Sequence, residues 1–125
     1  MASPRALRLL LAGLAAALLP ACSAGVEPAV QGGAGTATRS VELVVAGGEV
    51  TGDTGVVEVA VGERVAVTVT SDVADELHVH GPGDGASAEV GAGGTVTVEV
   101  VQSAAGEYEV ELEQAQRLLT RLRVR

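Results

Sequence analysis

His78 and His80 are the chain's two histidines, and they stand two residues apart in the run Asp72-Val73-Ala74-Asp75-Glu76-Leu77-His78-Val79-His80-Gly81-Pro82-Gly83-Asp84. On a strand, a spacing of two puts both imidazoles on one face. Two neutral rings so placed can chelate Cu²⁺, Zn²⁺ or Ni²⁺, but alone they leave a site incomplete. Glu76 shares the face and Asp84 follows in the loop, and either could add a carboxylate. The competing reading is structural, and the sequence favours it. Both histidines are then polar strand residues, hydrogen-bonded to loop carbonyls or carboxylates, while Pro82 and the glycines turn the chain.

Other chemistry is harder to assemble. Cys22 is the single cysteine, so neither an internal disulfide nor a multi-thiolate metal site can form. Ser71, Ser87 and Ser103 lack a motif that would activate them. The many carboxylates alternate along strand-like segments, which reads as solubility. No glycine-rich stretch leads into a helix with a phosphate-binding lysine, and the chain has no lysine at all. An enzyme is not expected. The formal net charge is −8, and it becomes more negative once Arg5 and Arg8 are removed with a leader. That sign gives no electrostatic reason to bind nucleic acid. Tyr108 is the one aromatic residue, too little for a stacking platform.

The N-terminus carries an address. Arg5 and Arg8 precede an apolar run from Leu9 to Leu19, which is too short to span a bilayer as a helix and suits a secretory signal. Its end, Leu19-Pro20-Ala21-Cys22, resembles a bacterial lipoprotein signal, with leucine three before the cysteine and a small residue just before it. Residues 1–21 are therefore read as a lipoprotein signal peptide. Cys22 is read as the residue that is acylated after cleavage. The protein is then expected in the bacterial cell envelope, lipid-anchored on the extracytoplasmic side of the membrane. The bilayer is its expected partner, an envelope protein is a further candidate, and the domain is expected to be a monomer. Residues 22–40, rich in Gly, Ala, Ser and Thr, read as a flexible linker with no structure before about Val41.

From Val41 to Arg125 the apolar residues recur at period two. Seven strands are expected, around Val41–Val45, Val57–Val61, Val65–Val69, Leu77–Val79, Val96–Val100, Tyr108–Leu112 and Leu122–Val124. Glycine-rich turns separate them. Each strand has one dry face, so a second sheet must cover it. The fold class is all-β, an antiparallel β-sandwich or small barrel with a thin valine core. Residues 113–119 are the one helical candidate, too short to persist as more than a turn. Pairing the last two strands antiparallel about Gln116 sets Glu111 opposite Arg121, Glu109 opposite Arg123 and Glu107 opposite Arg125. Tyr108 then meets Val124 and Val110 meets Leu122. A bulge in the intervening loop would alter that register.

Gly62, Val65, Val67, Val69 and Ser71, then His78, His80 and Gly81, then Ala105, Gly106, Tyr108 and Val110, together resemble the pattern of cupredoxin-like domains of bacterial exported proteins, including the small domain of periplasmic iron-uptake lipoproteins. The resemblance spans residues 41–125 and implies a Greek-key β-sandwich, a fold in which several members bind copper. A blue-copper centre needs a cysteine thiolate, two histidines and usually an axial methionine. Here the only cysteine is Cys22, the only methionine is Met1, and no histidine follows His80. Glu113 stands where some relatives carry a histidine. The resemblance thus implies no blue-copper centre, and at most a remnant copper or zinc site of His78, His80 and Glu113. No resident cofactor is expected. The sequence favours an anchored binding or structural module. The alternatives are a transition-metal binding or chaperone protein and, weakly, an electron carrier.

Overall fold

Valine's branched Cβ restricts the side chain to rotamers that suit an extended backbone, and its alternation with Thr, Glu and Arg dictates strands with one dry face. The computed structural model describes residues 30–31 and 39–125. Residues 1–21, Cys22 and most of the segment read as a linker lie outside the described residues. Among the described residues there are ten strands: β1 (Val30–Gln31), β2 (Arg39–Ala46), β3 (Glu49–Gly52), β4 (Gly55–Val59), β5 (Arg64–Ser71), β6 (Asp75–Val79), β7 (Ala86–Val90), β8 (Gly94–Val101), β9 (Gly106–Leu112) and β10 (Arg117–Val124). They form two five-stranded sheets, β1-β8-β5-β2-β3 and β4-β10-β9-β6-β7. Among the described residues no helix is long and apolar enough to cross a membrane.

The dry faces of the two sheets share one core. Val41, Leu43, Val65, Val67, Val69, Val96 and Val98 from the first sheet join Leu77, Val79, Val110, Leu112 and Leu122 from the second, all fully or almost fully buried. The expected sandwich is therefore the observed one, with Greek-key-like topology, but its pairing is mixed. The β1/β8, β2/β5 and β4/β10 pairs are parallel, and the others are antiparallel. On the wet face of the first sheet, Thr68 pairs with Thr97 at 2.9 Å and Thr70 with Thr95 at 2.8 Å, as directly opposite cross-strand partners.

Three strands go beyond the sequence reading. β1 lies within the segment expected to be unstructured, and β2 begins at Arg39 rather than Val41. β3 and β7 are short strands at sheet edges, and β7 turns Ala86, Ala88 and Val90 toward the core. Val61 was expected on a dry face but is 48% exposed. The turn that follows β4 claims it: Glu63 N donates to Ala60 O at 3.0 Å, and Ala60 N donates to Glu63 Oε2 at 2.9 Å.

The β9/β10 register differs from the expected one by two residues. Arg121 stands opposite Glu109, Arg123 opposite Glu107 and Leu122 opposite Tyr108. Residues 113–116 form a tight turn rather than a helix, with Gln116 at φ +49°, and the register shifts between Leu118 and Thr120. Leu119 and Thr120 are both buried as a result. An even shift leaves the faces unchanged, so the charges stay outside and the apolar residues inside. The partners do change. Arg121 binds Glu109 at 3.2 Å, Arg123 binds Glu107 at 2.6 Å and Glu58 at 3.2 Å, and Arg125 binds Glu58 at 3.0 Å. Glu111, expected opposite Arg121, is left for another partner.

Candidate metal centre

Because Leu77 and Val79 are buried in the core, His78 and His80 must project from the outer face of the second sheet. β9 lies beside β6, with Leu77 opposite Leu112, His78 opposite Glu111 and Val79 opposite Val110. The same alternation therefore puts Glu111 and Glu113 on the histidine face. A His-x-His pair on one strand meets a Glu-x-Glu pair on the next.

The side chains lean along the strands and meet on the diagonal, a step within reach of long side chains. His78 Nδ1 lies 3.1 Å from Glu113 Oε2, and His80 Nε2 lies 2.6 Å from Glu111 Oε1. The two imidazole rings stack, with centroids 4.4 Å apart and planes 16° from parallel. One ligand atom from each of the four residues lies within 4.8 Å of the other three. Of the carboxylates weighed from sequence, Glu113 belongs to this group. Glu76 does not, and stands opposite Glu89 in the β6/β7 ladder. Asp84 contributes its backbone carbonyl, 3.1 Å from His78 Nε2, rather than its carboxylate.

Two groups that the sequence reading did not single out position the site. Asp75 is buried, and its Oδ1 accepts from Glu76 N at 2.7 Å and Gln114 N at 2.9 Å, while Oδ2 accepts from Ala115 N at 3.1 Å. With Glu113 N donating to Glu76 O at 2.9 Å, this carboxylate ties the β9–β10 turn to the start of β6. Glu113 is thereby held beside His78. Gln102, also buried, donates from Nε2 to the His80 carbonyl at 2.7 Å, while His80 N donates to Glu109 O at 2.9 Å. The backbone of His80 is thus fixed on both sides although β6 has ended at Val79.

The surroundings of His78 stabilise its protonated form relative to a free imidazole. Burial lowers its pKa, but the hydrogen bonds to Glu113 and to the Asp84 carbonyl, with the negative charges of Glu113 and Glu111, outweigh burial and raise it. Two imidazole nitrogens and two carboxylate oxygens form a donor set that suits Zn²⁺ or Cu²⁺. A tetrahedral shell at metal–ligand distances of about 2.0–2.2 Å spaces its ligand atoms about 3.3–3.6 Å apart. The group spreads up to 4.8 Å, wider than that, and the Glu113 side chain, about half exposed, is the least confined of the four. A cation entering here would replace the direct His–Glu hydrogen bonds with metal–ligand bonds.

No family model and no curated protein sequence matches the chain. Solved structures do. A copper-binding protein determined by NMR in its apo form superposes with TM-score 0.52 at 15% identity, covering 81% of this chain and 100% of that one. The fold is cupredoxin-like. Other similar structures are the Cu(I) form of an amicyanin mutant, at TM-score 0.46 and 14% identity over 69% of this chain and 82% of that one, and a multi-copper oxidase from Pediococcus acidilactici, at TM-score 0.47 and 12% identity over 87% of this chain and 29% of that one. In this cupredoxin-like sandwich the single cysteine and the single methionine both precede the domain, so the His/Glu group comes without the thiolate and thioether of a blue-copper centre.

Proposed function

We propose that the domain binds one divalent transition-metal ion, Cu²⁺ or Zn²⁺, through His78, His80, Glu111 and Glu113. The observation that carries this is the convergence of those four ligand atoms, from two neighbouring strands, to within 4.8 Å. The copper-binding structural relative supports a fold able to carry such a site, and at 15% identity it leaves the ligands to be argued from this chain alone. The site lies on the outer face of the second sheet, partly exposed and with no thiolate, which suits holding and handing on an ion better than moving electrons. With Cys22 acylated, it would work on the extracytoplasmic side of the membrane as an anchored metal-binding module.

The direct His–Glu hydrogen bonds support a second reading, in which the cluster pins β6 to β9 and the domain is a structural module. Equilibrium titration of the purified chain with Cu²⁺ and Zn²⁺ separates the two. Metal binding predicts one saturable site that is lost in the His78→Ala, His80→Ala double variant. The structural reading predicts no saturable binding, with a loss of stability in the same variant.

A further inference from the structure

An imidazole nitrogen binds a metal through a lone pair that lies in the plane of its ring. One ion held by two imidazoles must therefore lie close to both ring planes. The metal-free arrangement of His78 and His80 does not allow this. Their planes are 16° from parallel and their centroids are 4.4 Å apart. Side by side in one plane, rings at that spacing would collide, because non-bonded carbons keep about 3.5 Å between them. The rings are therefore layered, one above the other, and near-parallel layers share no point within reach of either ring. An ion about 2.0–2.1 Å from a nitrogen of one ring, in its plane, stands well off the plane of the other. The four ligand atoms converge to within 4.8 Å, yet the centre is closed until one ring turns.

The two rings are not equally free to turn. His78 is engaged at both nitrogens, Nδ1 at 3.1 Å from Glu113 Oε2 and Nε2 at 3.1 Å from the Asp84 carbonyl. The turn from β6 to β7 closes on the same edge of the ring. Gly85, at φ +70°, packs so near that an added Cβ would lie 3.1 Å from His78 Nε2. The His78 side chain is accordingly only 22% exposed. His80 is held at Nε2 alone, by Glu111, and its side chain is 43% exposed. Its backbone is fixed by Gln102 and Glu109, so any movement is confined to the side-chain torsions.

We propose that the centre is a two-state switch operated by His80: closed, its ring is stacked on His78 and bonded to Glu111; open, the ring has swung out of the stack so that both imidazoles reach one ion. The open state rests on the metal reading above, whereas the closed state belongs to the metal-free protein. His78 stays in place through the change, and so do the backbones of β6 and β9. Closure competes with the ion, and it lowers the apparent affinity in proportion to the fraction of molecules that are open. When the ion leaves, His80 regains Glu111 and the stack at once, so release exposes no unpaired imidazole. A centre that closes behind its ion suits handing it on.

Nuclear Overhauser contacts between ring protons, recorded on the isotope-labelled full chain above the imidazole titration range, read the two states directly. Without metal, contacts are expected between the His78 and His80 rings, and between the His78 ring and Gly85. With one equivalent of Zn²⁺ the contacts between the rings should be lost, the His80 ring protons should move downfield as they leave the face of His78, and the contact from His78 to Gly85 should persist. Absence of inter-ring contacts without metal overturns the closed state. Zn²⁺ that binds with the inter-ring contacts intact overturns the switch and leaves the metal reading standing. Loss of the Gly85 contact instead overturns the assignment of the movement to His80. No change at either ring on Zn²⁺ addition overturns the metal reading, and the open state with it.

Discussion

His80 Nε2 meets Glu111 Oε1 at 2.6 Å, although the ladder delivers the His80 amide to the carbonyl of Glu109. The pair is diagonal, and so is His78 with Glu113. It exists because the β9/β10 register leaves Glu111 without an arginine opposite, whereas Glu107 and Glu109 are taken by Arg123 and Arg121. One hairpin register thus divides the glutamates of β9 between structure and site.

Glu111→Gln should separate metal binding from folding. The side chain keeps its length and loses its charge but can still accept from His80, so stability should change by no more than about 1 kcal/mol. Affinity for Zn²⁺ should fall by at least about 10-fold. Calorimetric titration beside a denaturant melt measures both, and unchanged affinity would remove Glu111 from the ligand set.

Protonation of His78 should act in opposite directions on stability and on metal. Its pKa is raised in the folded protein, so its stabilising contribution is fully present below the unfolded-state pKa and is lost as pH rises through the folded one. Metal needs the neutral ring, so affinity should weaken as pH falls through that same folded pKa. The NMR titration of His78 should move toward the ordinary imidazole value in Glu113→Gln. A wild-type His78 that titrates below a free imidazole would contradict the geometry.

Asp75→Ala should loosen the β9–β10 turn from the start of β6. Three backbone amides lose their acceptor, and the expected destabilisation is about 1–3 kcal/mol. Metal affinity should fall through Glu113, while the His80–Glu111 pair persists. Denaturant midpoints and the His80 ring resonances follow the two effects, and a variant as stable as wild type would show that water replaces the carboxylate.

A double-mutant cycle tests the register itself. Glu107 and Arg123 should couple by about 0.2–1 kcal/mol, while Glu107 and Arg125, partners under the register expected from sequence, should show no coupling. The reverse pattern would restore the Gln116-centred pairing.

The sandwich was legible in the sequence because alternation is a statement about parity. Val65, Val67 and Val69 must share a face, and so must His78 and His80. Parity does not distinguish registers that differ by two, and that is where the reading of β9 and β10 departed from the structure. The tight turn at Gln116 and the bulge after Leu118 set the pairing, and neither has a glycine to announce it. Glu113 entered through its place in a family pattern. Glu111 was hidden because Arg121 offered it a conventional partner, although Glu107, Glu109, Glu111 and Glu113 alternate against Arg121, Arg123 and Arg125 alone, the remaining arginine of β10, Arg117, being bound to the Gly48 carbonyl. That spare negative charge, on the strand that pairs with the one carrying the two histidines, was the available signal. Asp75 and Gln102 gave none, because their roles depend on backbone groups that come together only in the folded chain.

The most direct test of the metal centre is electron paramagnetic resonance, with hyperfine resolution of bound nitrogen, on the chain loaded with one equivalent of Cu²⁺. A centre built by His78, His80, Glu111 and Glu113 predicts two coordinated imidazole nitrogens, one of them lost in His78→Ala and one in His80→Ala. A spectrum without imidazole nitrogen, or one that neither variant alters, would contradict it.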